Sequence, residues 1–238
     1  MHRLGSTRSA HRADHLLQTP DTFVRAPLPG MKNATAIVHI APAGGAQFTE
    51  YTAIFEPGGT LGPTVGQRFV YVVEGELTVD GAVLPKGGYA YRPTAIESAV
   101  NSRAIVIEKR YQPLPGLQAP AAFTRREPAV EPKPLDGDEA LQVRTLLPVD
   151  PAFDMAVNTM TFQPGASLPM VEIHVMEHGL MMLEGGGIYR LGDHWYPVQE
   201  GDFIWMAPYC PQWFGALGKV PAKYLIYKDW NRNPCNSK

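Results

Sequence analysis

The segment Val171-Glu172-Ile173-His174-Val175-Met176-Glu177-His178-Gly179 concentrates the side chains most able to do chemistry. Val171, Ile173 and Val175 alternate with Glu172 and His174, and on a strand this puts the carboxylate and the imidazole on one face. Apolar surroundings do not tolerate such groups unless something pairs with them, and a divalent cation would. His178 sets a geometric condition. On an unbroken strand it would lie ~13 Å from His174, at ~3.3 Å per residue, too far to share one ion. The chain must therefore turn between Val175 and His178 and return His178 on the next strand. Gln212, four residues after Pro208 in GDFIWMAPYCPQW, is the candidate fourth ligand. This nitrogen and oxygen set contains no sulfur and suits manganese or iron better than structural zinc. Two other readings compete. Glu172 and His174 could form a hydrogen-bonded pair without an ion. His174-x-x-Glu177-His178 also matches the HxxEH pattern of zinc peptidases, but that chemistry needs a helix to bring two histidines to one face. The β-branched neighbours, Gly179 and the run Gly185-Gly186-Gly187 argue against a helix.

The elements that would position these residues recur as a repeat. One copy runs TAIFEPGGTLGP (52–63), FVYVVEGELTV (69–79), LPKGGYAYRP (84–93) and AIVIEKRY (104–111). The other runs NTMTFQPGASLP (158–169), LMMLEGGGIYRL (180–191), PVQEGDFIWMAP (197–208) and KYLIYKDW (223–230). Short apolar runs rich in β-branched and aromatic residues, punctuated by Gly and Pro, predict strands. A duplicated β-unit of this size predicts two barrels or sandwiches, an all-β chain. Residues 112–139 contain Pro113, Pro115, Pro120, Pro128, Pro132 and Pro134, which cannot join a sheet interior. They read as an extended linker over the surface, with a disordered hinge as the alternative. The expected organisation is an N-terminal arm over 1–30, a first β-unit over 31–111, a linker over 112–144 and a metal-binding unit over 145–238. The first copy has no histidine after Pro57-Gly58 and carries Glu97 where proline spacing places Gln212, so it is expected to bind no metal.

The net charge of -2, without long charged runs, argues against nucleic acid or an anionic membrane surface as partner. The 45% of hydrophobic residues is enough for a core. The two cysteines, Cys210 and Cys235, form neither a CxxC pair nor a disulfide framework. The N-terminal MHRLGSTRSAHRADHLLQ has no apolar leader segment, and its Arg/Ser content is opposed by Asp14 as a transit signal. A cytoplasmic protein is expected.

The spacing from Gly165 through Glu172, His174 and His178 to Gly185 resembles the first cupin motif, and Gly201-Asp202 through Pro208 to Gln212 resembles the second. The usual cupin has His, Glu and His where this chain has Glu172, His178 and Gln212. That variant set, with EIHVMEHGLMMLEGGGIYRL, APYCPQWFGALG and YLIYKDWNR, resembles the (S)-ureidoglycine aminohydrolases. The resemblance runs from about residue 30 to the end. It implies a bicupin, two double-stranded β-helix (jelly-roll) barrels, with one Mn²⁺ per chain held by Glu172, His174, His178 and Gln212. It implies a small carboxylated ureido substrate, release of ammonia from (S)-ureidoglycine, and a place in purine and allantoin breakdown. Lys228 resembles the family's active-site lysine, Tyr189 and Tyr224 its substrate-contacting tyrosines, and Glu172 and Lys228 are the candidates for proton transfer. Direct displacement by water and an imine route both stay open. A homo-oligomer is expected by analogy only. A Mn/Fe bicupin oxidoreductase of the oxalate or quercetin type is the rival enzyme reading, and a non-catalytic small-molecule-binding bicupin is the rival outside enzymes.

Overall fold

The computed structural model describes residues 7–64 and 66–232. Residues 1–6 of the expected arm and Cys235 lie outside the described residues. No helix among the described residues is long and apolar enough to cross a membrane. The chain forms two compact β-units, one comprising Val24–Glu131 with Asp150–Phe153, the other residues 7–23, 132–149 and 154–232.

The N-terminal unit is an antiparallel sheet ordered Phe123–Arg126, Gly88–Tyr91, Gln67–Glu74, Ser102–Lys109, Thr49–Thr60, Ile96–Ser98, Glu76–Val79, Ala82–Pro85, with Lys32–Ile40 also paired to Thr49–Thr60. Its interior is apolar: Tyr51, Ala53, Phe55, Val70, Val72, Leu77, Ala104 and Val106 pack together. These residues follow the alternation of their strands, since inward side chains recur every second residue.

The C-terminal unit closes two sheets over one core. The larger is ordered Ala10–His11, His15–Gln18, Phe203–Met206, His178–Glu184, Ala222–Lys228, Ala156–Phe162, Asp138–Thr145, Lys133–Leu135. The smaller is His194–Gln199, Gly186–Leu191, Gln212–Ala216. At the base of the core, Phe214 packs edge-on to Phe162 with ring centroids 4.9 Å apart and to Tyr224 at 5.8 Å, and lies 5.5 Å from Tyr189. Gly187 makes room for this ring: a Cβ there would meet Phe214 Cε2 at 2.7 Å and the Gly215 carbonyl at 2.1 Å. Truncating such a buried ring costs about 3–5 kcal/mol.

Two segments differ from their simple reading. Over its described part the arm joins a sheet: His15–Gln18 pairs with Phe203–Met206. Arg8 donates to both oxygens of the fully buried Asp202, at 2.6 and 2.8 Å, and to the Pro197 carbonyl. The proline-rich stretch contributes edge strands, Phe123–Arg126 to one unit and Lys133–Leu135 to the other. Edge positions are where a missing amide donor is tolerated, and Pro134 occupies one of them.

Candidate active site

The segment bearing Glu172 and His174 crosses from the strand Ala156–Phe162 to the strand His178–Glu184. It is held along the smaller sheet. Leu168 donates its amide to Phe214, and Glu172 and Gln212 exchange both backbone hydrogen bonds, at 2.8 and 2.9 Å. It is not a continuous strand; Glu172 forms a single bridge and the chain bends at Val175 and Met176. The alternation persists with apolar groups outward: Val171 and Ile173 are exposed, whereas Glu172 and His174 are half-buried. The bend delivers His178 to the first position of the next strand, opposite Met206 and Lys228. No helix forms here, so the one-turn spacing of the HxxEH pattern is not realised. Glu177 is buried and accepts from Trp205 Nε1 at 3.0 Å.

Glu172 Oε2 and His174 Nε2 lie 3.0 Å apart. The rings of His174 and His178 stack at 5.0 Å and 28°. The Gln212 side-chain oxygen accepts from the Tyr189 hydroxyl at 3.3 Å. All of these line one cavity of about 380 Å³, together with Tyr224 and Lys228. Burial, reinforced by the Lys228 and His174 charges, pushes the His178 pKa well down, so its imidazole stays neutral with a lone pair to offer. Burial also lowers the Lys228 pKa, while the nearby Glu172 partly restores it. Trp230 places its ring 5.7 Å from the Lys228 ammonium at the cavity wall, a cation–π distance. Tyr189 and Tyr224 belong both to the aromatic base and to the cavity lining, and burial raises both phenol pKa values, so each remains a neutral hydroxyl.

One carboxylate, two imidazoles and an amide oxygen, with no thiol among them, fit a hard or borderline divalent ion. The Glu172 and His174 atoms already approach as two ligands of one ion would. A different group of ligand-type atoms escaped the sequence reading: Asp14, His15 and Cys210 bring one each within 4.8 Å. Both His15 ring nitrogens are engaged, by Asp14 and the Tyr196 hydroxyl, each at 2.8 Å. Asn158 and Trp230 also line the cavity unforeseen. Asn158 left a signal, since it shares strand parity with the inward Met160 and Phe162 and is the polar member of that series.

The proline count misplaced one counterpart. With Glu74-Gly75 matched to Glu184-Gly185, the pair Val79↔Ile96 corresponds to Tyr189↔Phe214. Leu191↔Gln212 lies two places further along, so Thr94 and not Glu97 falls at the Gln212 position. Glu97 is exposed, and Thr94 is tied by its hydroxyl to Asp80 at 2.6 Å.

The cupin domain family matches residues 158–227. The (S)-ureidoglycine aminohydrolase of Arabidopsis thaliana is 41% identical, over 97% of this chain and 80% of its own length. The chain belongs to the (S)-ureidoglycine aminohydrolase family. The crystal structure of protein Ylba from Escherichia coli superposes with a TM-score of 0.83 at 30% identity, covering 96% of each chain. Bacillus subtilis oxalate decarboxylase, whose Mn(II) centres its structure describes, superposes at 0.70 over 94% of this chain and 80% of its own. At 11% identity that likeness shows the bicupin fold alone.

Proposed function

We infer that this protein hydrolyses (S)-ureidoglycine to (S)-ureidoglycolate and ammonia. One observation carries the reading: the identity to the Arabidopsis aminohydrolase extends over 97% of the chain. The cavity is consistent with it. Glu172, His174, His178 and Gln212 would hold one Mn²⁺, which when bound supplies Lewis acidity and a template for substrate oxygens. Lys228 offers a positive charge to the substrate carboxylate. Alternatively, in its neutral form, which the lowered pKa makes easier to reach, Lys228 accepts a proton from water and returns it to the departing amino nitrogen. Glu172 is the alternative carrier for that proton. The balance is simple: water adds its hydroxyl to the carbon bearing the amino group, the C–N bond breaks, and ammonia leaves with the proton. Tyr189 and Tyr224, held neutral, border the substrate from below.

Ammonia release from freshly made ureidoglycine tests the reading. Purified protein loaded with Mn²⁺ should release one ammonia per substrate without consuming dioxygen. Absence of ammonia release from metal-loaded, folded protein would overturn the assignment, and dioxygen uptake with substrate would favour the oxidoreductase.

A further inference from the structure

Asn158 sits on the inner face of the C-terminal barrel, in the series Ala156, Asn158, Met160, Phe162 that descends from mouth to base. Across the ladder these face Lys228, Ile226, Tyr224 and Ala222. Asn158 is therefore one inward step below the Lys228 level and one above Tyr224, in the middle of the cavity it lines. Its Oδ1 is buried and accepts no hydrogen bond. Of the buried side-chain nitrogens and oxygens around this cavity, it alone lacks a partner among the described residues. The Gln212 side-chain oxygen accepts from the Tyr189 hydroxyl, and Glu172 Oε2 lies against His174 Nε2. An acceptor left unpaired away from water costs about 1–3 kcal/mol.

The other barrel shows how the same position is closed when nothing is to be bound. Matching the strand registers equates Asn158↔Ile226 with Tyr51↔Val106. Tyr51 is satisfied internally, donating its hydroxyl to Glu108 at 3.0 Å. The C-terminal barrel keeps an amide there and gives its oxygen no internal donor.

We propose that Asn158 determines specificity by accepting a hydrogen bond from the terminal amide N–H of the substrate's ureido group. This rests on the aminohydrolase reading above. A ureido group carries three N–H donors, while the carboxylate at the other end of the substrate carries none and seeks Lys228 and the cation site. The cavity offers the matching polarity, a lysine near the mouth and, one step inward, an acceptor without an internal partner. A site built to accept from an N–H rejects an analogue that lacks it, because the acceptor then stays buried and unpaired.

Two stable carboxylates isolate the contact: N-carbamoylglycine, and N-acetylglycine, in which a methyl replaces the terminal amide nitrogen. Inhibition constants and calorimetric affinities on the Mn²⁺-loaded enzyme should favour the carbamoyl compound by about tenfold or more. Asn158→Leu should abolish that preference, weakening the carbamoyl compound and leaving N-acetylglycine and metal content unchanged. It should also raise KM for ureidoglycine more than it lowers kcat. Asn158→Ala, which crowds nothing, gives the same readout if the leucine variant does not fold. A preference retained in the folded variant overturns the role of Asn158, as does a wild type that does not distinguish the two compounds. Failure of the aminohydrolase reading shows separately, as absence of ammonia release by the wild type.

Discussion

At matching register positions the two barrels carry opposite solutions to one problem. Where the C-terminal barrel sets His178 opposite Lys228, the N-terminal barrel sets Arg68 opposite Glu108. Arg68 Nε donates to Glu108 at 2.6 Å, Tyr51 donates to the same carboxylate, and the Arg68 guanidinium also reaches the Gly62 carbonyl at 2.9 Å. At this level the Arg68 and Glu108 charges answer each other within the wall. In the C-terminal barrel two histidines, a lysine and Asn158, whose amide oxygen has no internal partner, line a shared cavity. The connecting segments differ as well. The chain takes ten residues from Gly58 to Arg68 and thirteen from Gly165 to His178, and the longer path carries Glu172 and His174. The same fold thus closes where its polar groups pair with each other, and keeps a cavity where they are left to pair with something else.

The largest test of this contrast empties the cavity. His174→Ala and His178→Ala should each remove bound manganese, measured by elemental analysis, and reduce ammonia release to background. Unchanged metal content in both would dissolve the distinction between the barrels. The second test strikes the closed side. Arg68→Met leaves Glu108 and Tyr51 without their cation and should cost about 3 kcal/mol in denaturant unfolding, the usual penalty for breaking a buried pair, while kcat of the folded enzyme stays near wild type. A large kcat loss with stability intact would mean that the N-terminal barrel is not merely a support.

Lys228→Met should do the reverse, keeping metal and stability while lowering turnover by about 10²-fold. Near-wild-type turnover would reduce Lys228 to a residue at the end of a strand. The smallest test exploits a buried carboxyl in the N-terminal unit. Glu50 is fully buried, both its oxygens lack a partner, and burial raises its pKa to about 8. Native Glu50 therefore holds its proton where the unfolded chain, near the ordinary value of 4.5, has lost it. The folded state binds more protons between these limits, so stability falls as pH rises through that window. Glu50→Gln should flatten the decline, gaining about 2 kcal/mol relative to wild type between pH 6 and pH 8. Parallel unfolding profiles for the two proteins would show that Glu50 does not govern it.

The repeat, the turn glycines and prolines, and the clustering of Glu172, His174 and His178 were all legible in the sequence. Each is a local pattern, written in residues a few positions apart, and strand alternation and turn chemistry act at that range. The bend between Val175 and His178 was legible too, because a distance along an extended chain is fixed by covalent geometry. The tertiary structure decided what depends on which strands become neighbours. It brought Arg8 to Asp202 and His15 to Tyr196 across most of the chain, and made the arm part of the C-terminal sheet. It put Thr94 rather than Glu97 at the Gln212 position, because hairpin register and not proline spacing sets cross-strand partners. It also left Asn158 with a buried, unanswered oxygen. An asparagine in a strand reads the same whether its amide meets water, a neighbour or a cavity. Only the closing of the barrel, through contacts distant in sequence, determines which of these it finds.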